Sequence, residues 1–160
     1  MTQVSTSLWF ENRAEEAARF YVSLFADGEI GSIQRLAAEA PGGGKPGDVI
    51  SVSFTLSGTP YTAINGGDYF RLTPAASIVV TSDDQAELDR LWEALLEGGG
   101  KPMMCSWLTD RFGLTWQLVP KALFARLADP DREAVARMSQ AMYTMQKIDM
   151  AALEAAFRGD

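Results

Sequence analysis

The chain has 160 residues, 47% of them hydrophobic and 22% charged, with a formal net charge of −7 and an isoelectric point near 4.6. That field repels a phosphate backbone, which argues against nucleic acid as a partner. No run of about 18 apolar residues is present to span a membrane, and the opening Met-Thr-Gln-Val-Ser-Thr-Ser does not read as a secretory signal.

The elements follow in chain order. Val4 to Phe10 is a short β-prone run. Asn12 is placed to cap a helix, with Glu15 reaching back in a capping box. Ala14, Ala17, Ala18, Tyr21, Leu24 and Phe25 recur at helical spacing, and Asp27-Gly28 ends the helix. Glu29 to Leu36 reads as a strand, and Ala40 to Asp48 as a Pro/Gly loop. Val49 to Leu56 alternates Val52, Phe54 and Leu56 against Ser51, Ser53 and Thr55, the period of a half-buried strand. Ser57 to Pro60 turns the chain into a strand over Tyr61 to Ile64, stopped by Asn65-Gly66.

The pattern then restarts. Ala76 to Thr81 is a β-branched strand, and Ser82 with Gln85 suggests a second capping box. Leu88, Leu91, Trp92, Leu95 and Leu96 form an apolar helical stripe ended by Gly98-Gly99-Gly100. Strands follow over Lys101 to Trp107, with a bend inside Met103 to Leu108, and over Leu114 to Val119. Both halves therefore read as strand, helix, strands. The boundaries fall at 1–70 and 71–120, with a helical tail over 121–160. In the tail, Asp129 caps a helix opened by Pro130 and carrying Val135, Met138, Met142 and Met145, and Asp149 caps a last short one. The fold class is α+β, two βαβββ modules with a helical C-terminal tail, each module with one sheet face to bury.

The absence of histidine removes Ser-His and Cys-His nucleophile arrangements and the commonest ligand of zinc, iron and copper. No metal site and no cofactor are expected. The single Cys105 cannot form an intrachain disulfide, which fits a reducing cytoplasm. As a nucleophile it needs a neighbour that lowers its pKa, and it reads instead as a structural thiol. Gly42-Gly43-Gly44-Lys45 lacks the spacing and following helix of a phosphate loop, so it reads as a hairpin loop.

An aromatic and amide set remains: Trp9, Phe54, Asn65, Tyr69, Phe70, Trp107, Trp116 and Gln117. Aromatic walls with a few amides suit a small organic ligand, although each ring can equally fill a core. Trp116 and Gln117 are adjacent in a strand and point to opposite faces. The expected ligand-lining residues are Trp9, Phe54, Asn65, Trp107 and Gln117. A metal-independent enzyme would draw its acid or base from Asp110, Arg111, Tyr69 or Cys105. A third alternative is a protein-interaction module using the acidic surface and the methionine stripe.

The segment Leu8-Trp-Phe-Glu-Asn-Arg-Ala-Glu-Glu-Ala-Ala-Arg-Phe-Tyr-Val-Ser-Leu-Phe25 resembles the opening of the PhnB-like family, also labelled 3-demethylubiquinone-9 3-methyltransferase-like. Tyr61 to Gly67, Leu91 to Leu95, Trp107 to Pro120 and Lys147 to Ala156 carry the same likeness. The family lies within the vicinal oxygen chelate (glyoxalase/bleomycin-resistance/dioxygenase) superfamily. The resemblance implies paired βαβββ modules curved around a cavity, and a homodimer. Catalytic members of that superfamily hold a metal with His and Glu on strands. The corresponding places here fall near Thr6 or Ser7, Ala63 or Asn65, Ala76 or Ser77, and at Gln117, none of them a metal-ligand type. The resemblance thus points to a metal-free small-molecule-binding protein. No glycine-rich nucleotide loop of the usual methyltransferase kind occurs.

Overall fold

A computed structural model describes residues 2–40 and 44–160. The chain divides into two compact units, Met1–Leu72 and Thr73–Asp160. The first contains β1 (Thr6–Phe10), α1 (Ala14–Leu24), β2 (Glu29–Arg35), β3 (Val49–Leu56) and β4 (Thr59–Asn65). Its sheet runs β1-β4-β3-β2. β1 lies parallel to β4, and the other pairings are antiparallel.

The alternation in β3 places Val52, Phe54 and Leu56 under α1, where all three are buried. Ala14, Ala17, Ala18, Tyr21 and Leu24 form the buried stripe of α1. The three small alanines let the helix approach, and Tyr21 reaches between Phe10 and Phe54, with ring centroids 6.5 and 6.2 Å away. The opposite face of this sheet has no helix from its own unit. Register puts Trp9 beside Ile64 and Ile64 beside Ser51, so these three share that second face.

The second unit repeats the order with β5 (Ser77–Ser82), α2 (Gln85–Leu96), β6 (Lys101–Pro102), β7 (Trp107–Thr109) and β8 (Thr115–Pro120). Its sheet runs β5-β8-β7-β6, again with one parallel pair, β5 with β8. Leu88, Leu91, Trp92 and Leu95 are the buried face of α2. The tail adds α3 (Lys121–Leu127), α4 (Arg132–Tyr143) and α5 (Met150–Arg158). It has a core of its own, in which Leu123, Met138, Ile148 and Leu153 close on Val119 of β8. Met142 and Met145 pack against this core, so the methionine stripe faces inward within its own unit.

Three expected caps are corrected. α1 starts after Arg13 with no side-chain cap of its own; the first-turn amide of Ala14 instead donates to Asn65 Oδ1 at 2.8 Å. α2 is capped by Asp84, whose Oδ1 accepts from Ala86, while Ser82 Oγ accepts from the Asp84 amide. α4 is capped by Asp131 rather than Asp129; Asp129 Oδ1 accepts from the Asp131 amide and shapes the approach. Asp149 caps α5 as expected, accepting from Ala152. The strand expected over 101–107 is broken: β6 ends at Pro102 and β7 begins at Trp107, with Cys105 and Ser106 both at φ 57° between them. Of the glycine-rich loop, Gly42 and Gly43 lie outside the described residues.

Candidate functional site

The five expected ligand-lining residues fall into two groups by sheet face. Trp9, Trp107 and Gln117 stand on faces turned away from the module's own βαβββ helix. Phe54 and Asn65 stand on the helix side.

Trp9 leaves β1 and lays its indole over Gly66, where a Cβ would collide with the ring. Its Nε1–H donates to Gly67 O at 2.9 Å. Phe70 meets Trp9 edge-on at 5.0 Å, and Tyr69 meets Phe70 edge-on at 4.7 Å. Tyr69 and Phe70 are 80% and 57% exposed, so this aromatic run lines a surface.

Phe54 is 2% exposed. Its ring stacks on Tyr61 at 5.3 Å and faces Tyr21, the work of a core residue. Burial also pushes the Tyr61 hydroxyl above its usual pKa. Asn65 holds backbone on two sides: Oδ1 accepts from Ala14, and Nδ2 donates to Val49 O at 3.0 Å. It ties the start of α1 to the start of β3.

In the second unit, Trp107 and Gln117 are register partners across β7 and β8. Gln117 Nε2 donates to Ser77 Oγ at 2.7 Å. Thr115 lies two residues before Gln117 and pairs with Ser77 and Thr109; its hydroxyl is fully buried with no hydrogen-bond partner. Trp116, next to Gln117, points to the helix side and is fully buried, as alternation requires.

Two clefts open within the first unit. One, of about 860 Å³, lies at the start of α1 and is lined by Glu11, Arg13, Glu16, Asp48 and Asn65 among others. Glu16 pairs with Arg13 at 2.6 Å. Glu15, also on its wall, is held below the usual carboxylate pKa, first by its hydrogen bond from Arg19. Carboxylates outnumber cations here, so the cleft disfavours anions. The other, of about 580 Å³, is lined by Ser5, Glu29, Ser53, Phe54 and Thr62, with Gly31 at its wall. Gly31 has no room for a Cβ because Ser53 Oγ lies against it. That hydroxyl accepts from the Ser32 amide at 2.7 Å and fixes the irregularity between Ile30 and Ile33.

Of the candidate acids and bases of a catalytic reading, Tyr69 lies on the surface described above, and Asp110, Arg111 and Cys105 make contacts within their own unit. Asp110 is 4% exposed. Its Oδ2 accepts from Trp116 Nε1 at 2.9 Å, and its Oδ1 accepts from the amides of Phe112 and Leu114. Arg111 lies over the Phe112 ring at 5.0 Å. Cys105 is half-buried, with Sγ directed to Met142 O at 3.6 Å.

The fold also permits a test of metal binding. Positions facing away from α1 and α2 near the expected ligand sites are Ser7, Thr62, Ser77 and Gln117. They offer hydroxyls and one amide, neutral oxygens that hold transition metals poorly. Among the described residues, no three His, Cys, Asp or Glu side chains come together as a metal-holding group. The residues present do not fit the metal that catalytic members of the resembled superfamily hold. No helix among the described residues is long and apolar enough to cross a membrane.

Ser77, which the family resemblance offered only together with Ala76, is singled out by its contact with Gln117, and that contact leaves no local sequence signal.

With this geometry in view, comparisons with known proteins are specific. The model of the family described as 3-demethylubiquinone-9 3-methyltransferase matches residues 2–119. The PhnB protein of Bacillus cereus is 37% identical, with a TM-score of 0.66, over 74% of this chain and 99% of that one. Protein PA1353 of Pseudomonas aeruginosa shares the fold at 22% identity and a TM-score of 0.61, over 75% and 98%. A glyoxylase/bleomycin resistance protein/dioxygenase domain from Frankia sp. EAN1pec is 14% identical with a TM-score of 0.46, over 75% and 92%. No curated protein matches the chain with significance.

Proposed function

The chain belongs to the 3-demethylubiquinone-9 3-methyltransferase (PhnB-like) family of the glyoxalase/bleomycin-resistance/dioxygenase superfamily, and within it we propose a metal-free small-molecule-binding protein. The observation that carries this reading is the 2.7 Å hydrogen bond from Gln117 to Ser77. It joins two positions where the family resemblance places metal ligands, and both now bear neutral groups. An amide and a hydroxyl beside Trp107 can orient an organic ligand by hydrogen bonding and ring contact. Trp9 offers the corresponding aromatic surface on the first module. Phe54 and Asn65 shape the clefts of that module from behind the sheet. The family resemblance supports a homodimer as the working assembly.

Thermal-shift screening tests the reading, with divalent metals and an organic library assayed separately. A ligand present at 100 times its Kd stabilises the fold by about 2.7 kcal/mol, which raises the melting temperature by about 5–10 °C at this chain length. The expected result is a saturable shift with an organic compound that shrinks in Gln117→Leu, and none with metals. A saturable shift with nickel, zinc, manganese or iron overturns the metal-free part. A library without a single saturable compound, at concentrations up to millimolar, overturns the binding part.

A further inference from the structure

The family match ends at residue 119, yet the second sheet is not complete there. β6 stops at Pro102 and β7 starts at Trp107, so the amides of Cys105 and Ser106 have no strand of their own module to pair with. Both residues have φ of 57°, a conformation that non-glycine residues keep only where their surroundings hold it. The surroundings here come from the tail. Cys105 N–H donates to Met145 O at 2.8 Å, and Ser106 N–H donates to Gln146 O at 2.6 Å. In return the Ile148 amide donates to Ser106 Oγ at 2.6 Å. Ser106, 2% exposed, also accepts from the Leu118 amide through its carbonyl at 3.0 Å. One buried serine thus joins the tail to β8.

A second fastener lies at the start of α2. Gln85 Nε2 donates to Ile148 O at 3.0 Å, and Gln85 Oε1 accepts from the Met150 amide at 3.2 Å. The same Nε2 donates to Asp89 Oδ1, which holds Lys147 Nζ at 2.9 Å. Between the fasteners, Ile148 is buried in the tail core with Leu153 and Val119.

We propose that the segment 145–150 is a positioning strap for β7 and β8 of the second module, fastened at Ser106 and Gln85. Ser106 immediately precedes Trp107, and its carbonyl binds the residue immediately after Gln117. The strap therefore sets the register of the two side chains to which the proposed function assigns ligand contact. Its consequence for binding rests on that reading; the coupling itself does not. Ser106 and Gln85 are positioning residues with no ligand contact assigned to them.

The test is residue-resolved hydrogen exchange of the full chain, together with the Trp107 indole signal in a nitrogen–proton correlation spectrum assigned with Trp107→Phe. Gln85→Ala removes side-chain hydrogen bonds to residues 89, 148 and 150. The strap predicts at least about tenfold faster exchange at Cys105 and Ser106 as well as at Ile148 and Met150, with the Val80 amide of β5 unchanged and the Trp107 indole signal moved. Ser106→Ala, which deletes only the bond from Ile148, gives the same pattern more weakly and serves if Gln85→Ala fails to fold. Faster exchange confined to Ile148 and Met150, with Cys105 and Ser106 as in the parent chain, overturns the strap. A positive exchange result with no ligand found leaves the strap standing and the binding reading fallen.

Discussion

The two modules thread their strands in the same order, but they fill their sheets differently. β2 and β3 of the first are seven and eight residues long, whereas β6 and β7 of the second have two and three. The first module takes its backbone partners from its own βαβββ segment. The second draws hydrogen bonds at Cys105 and Ser106 from residues about forty positions away in the chain. Shared topology therefore fixes which strands neighbour each other and leaves open where the last backbone partners come from. The compact unit that holds the second module runs over Thr73–Asp160, tail included.

The largest expected effects set the two cores side by side. Phe54→Ala deletes a buried ring beneath α1 and is expected to cost about 3–5 kcal/mol. Leu153→Ala deletes a fully buried side chain outside the βαβββ segment, and its expected cost is about 2–5 kcal/mol. Denaturant unfolding of both variants checks the comparison. A cost under about 1 kcal/mol for Leu153→Ala would make the tail an appendage, and the contrast between the modules would collapse.

The next pair concerns polar struts. Asp110→Asn replaces a carboxylate that accepts three hydrogen bonds with an amide that turns one donor toward another donor. The expected loss is about 1.5–3 kcal/mol, with a changed near-ultraviolet signal from Trp116. Asn65→Ala removes the ties to Ala14 and Val49 and is expected to cost about 1–2 kcal/mol. Its second readout is faster exchange at Ala14 and at the start of β3. Normal protection at those positions would show that Asn65 is free for a ligand rather than committed to the backbone.

These residues also show where sequence reading reaches its limit. The stripe of α2, the alternation of β3 and the tandem βαβββ order were legible, because period and turn chemistry are local. The cap of α1 was not: its acceptor is Asn65, 51 residues from Ala14, while Asn12 stood in the expected place. Gln85 sat three residues after Ser82 and looked like half of a capping box, yet it reaches the tail 63 residues on. Alternation separated Trp116 from Gln117 because they are adjacent in one strand. It could not separate Trp9 from Phe54, since their relative faces depend on the pairing register through β4. The Gln117–Ser77 contact is legible only as two positions of a family resemblance until β5 and β8 are placed in parallel.

The smallest expected effect probes the strap electrostatically. Asp89 is held below the usual carboxylate pKa, first by its hydrogen bond from Lys147 and also by that from Gln85. Because the folded-state pKa lies below the unfolded one, which is near 3.9, the carboxylate contributes stability above about pH 4. That contribution is lost as the pH falls through the lowered value. Asp89→Asn should therefore lower the melting temperature at pH 7 by no more than about 2 °C, since both partners are partly exposed and the pair is screened. The difference between variant and parent should shrink as the pH falls below the ordinary carboxylate range and in high salt. A difference that persists unchanged in acid would place the cost of the substitution in the Gln85 hydrogen bond, not in the Lys147 pair. The strap would then be held to α2 by neutral hydrogen bonds and packing, as the start of α1 is held by Asn65.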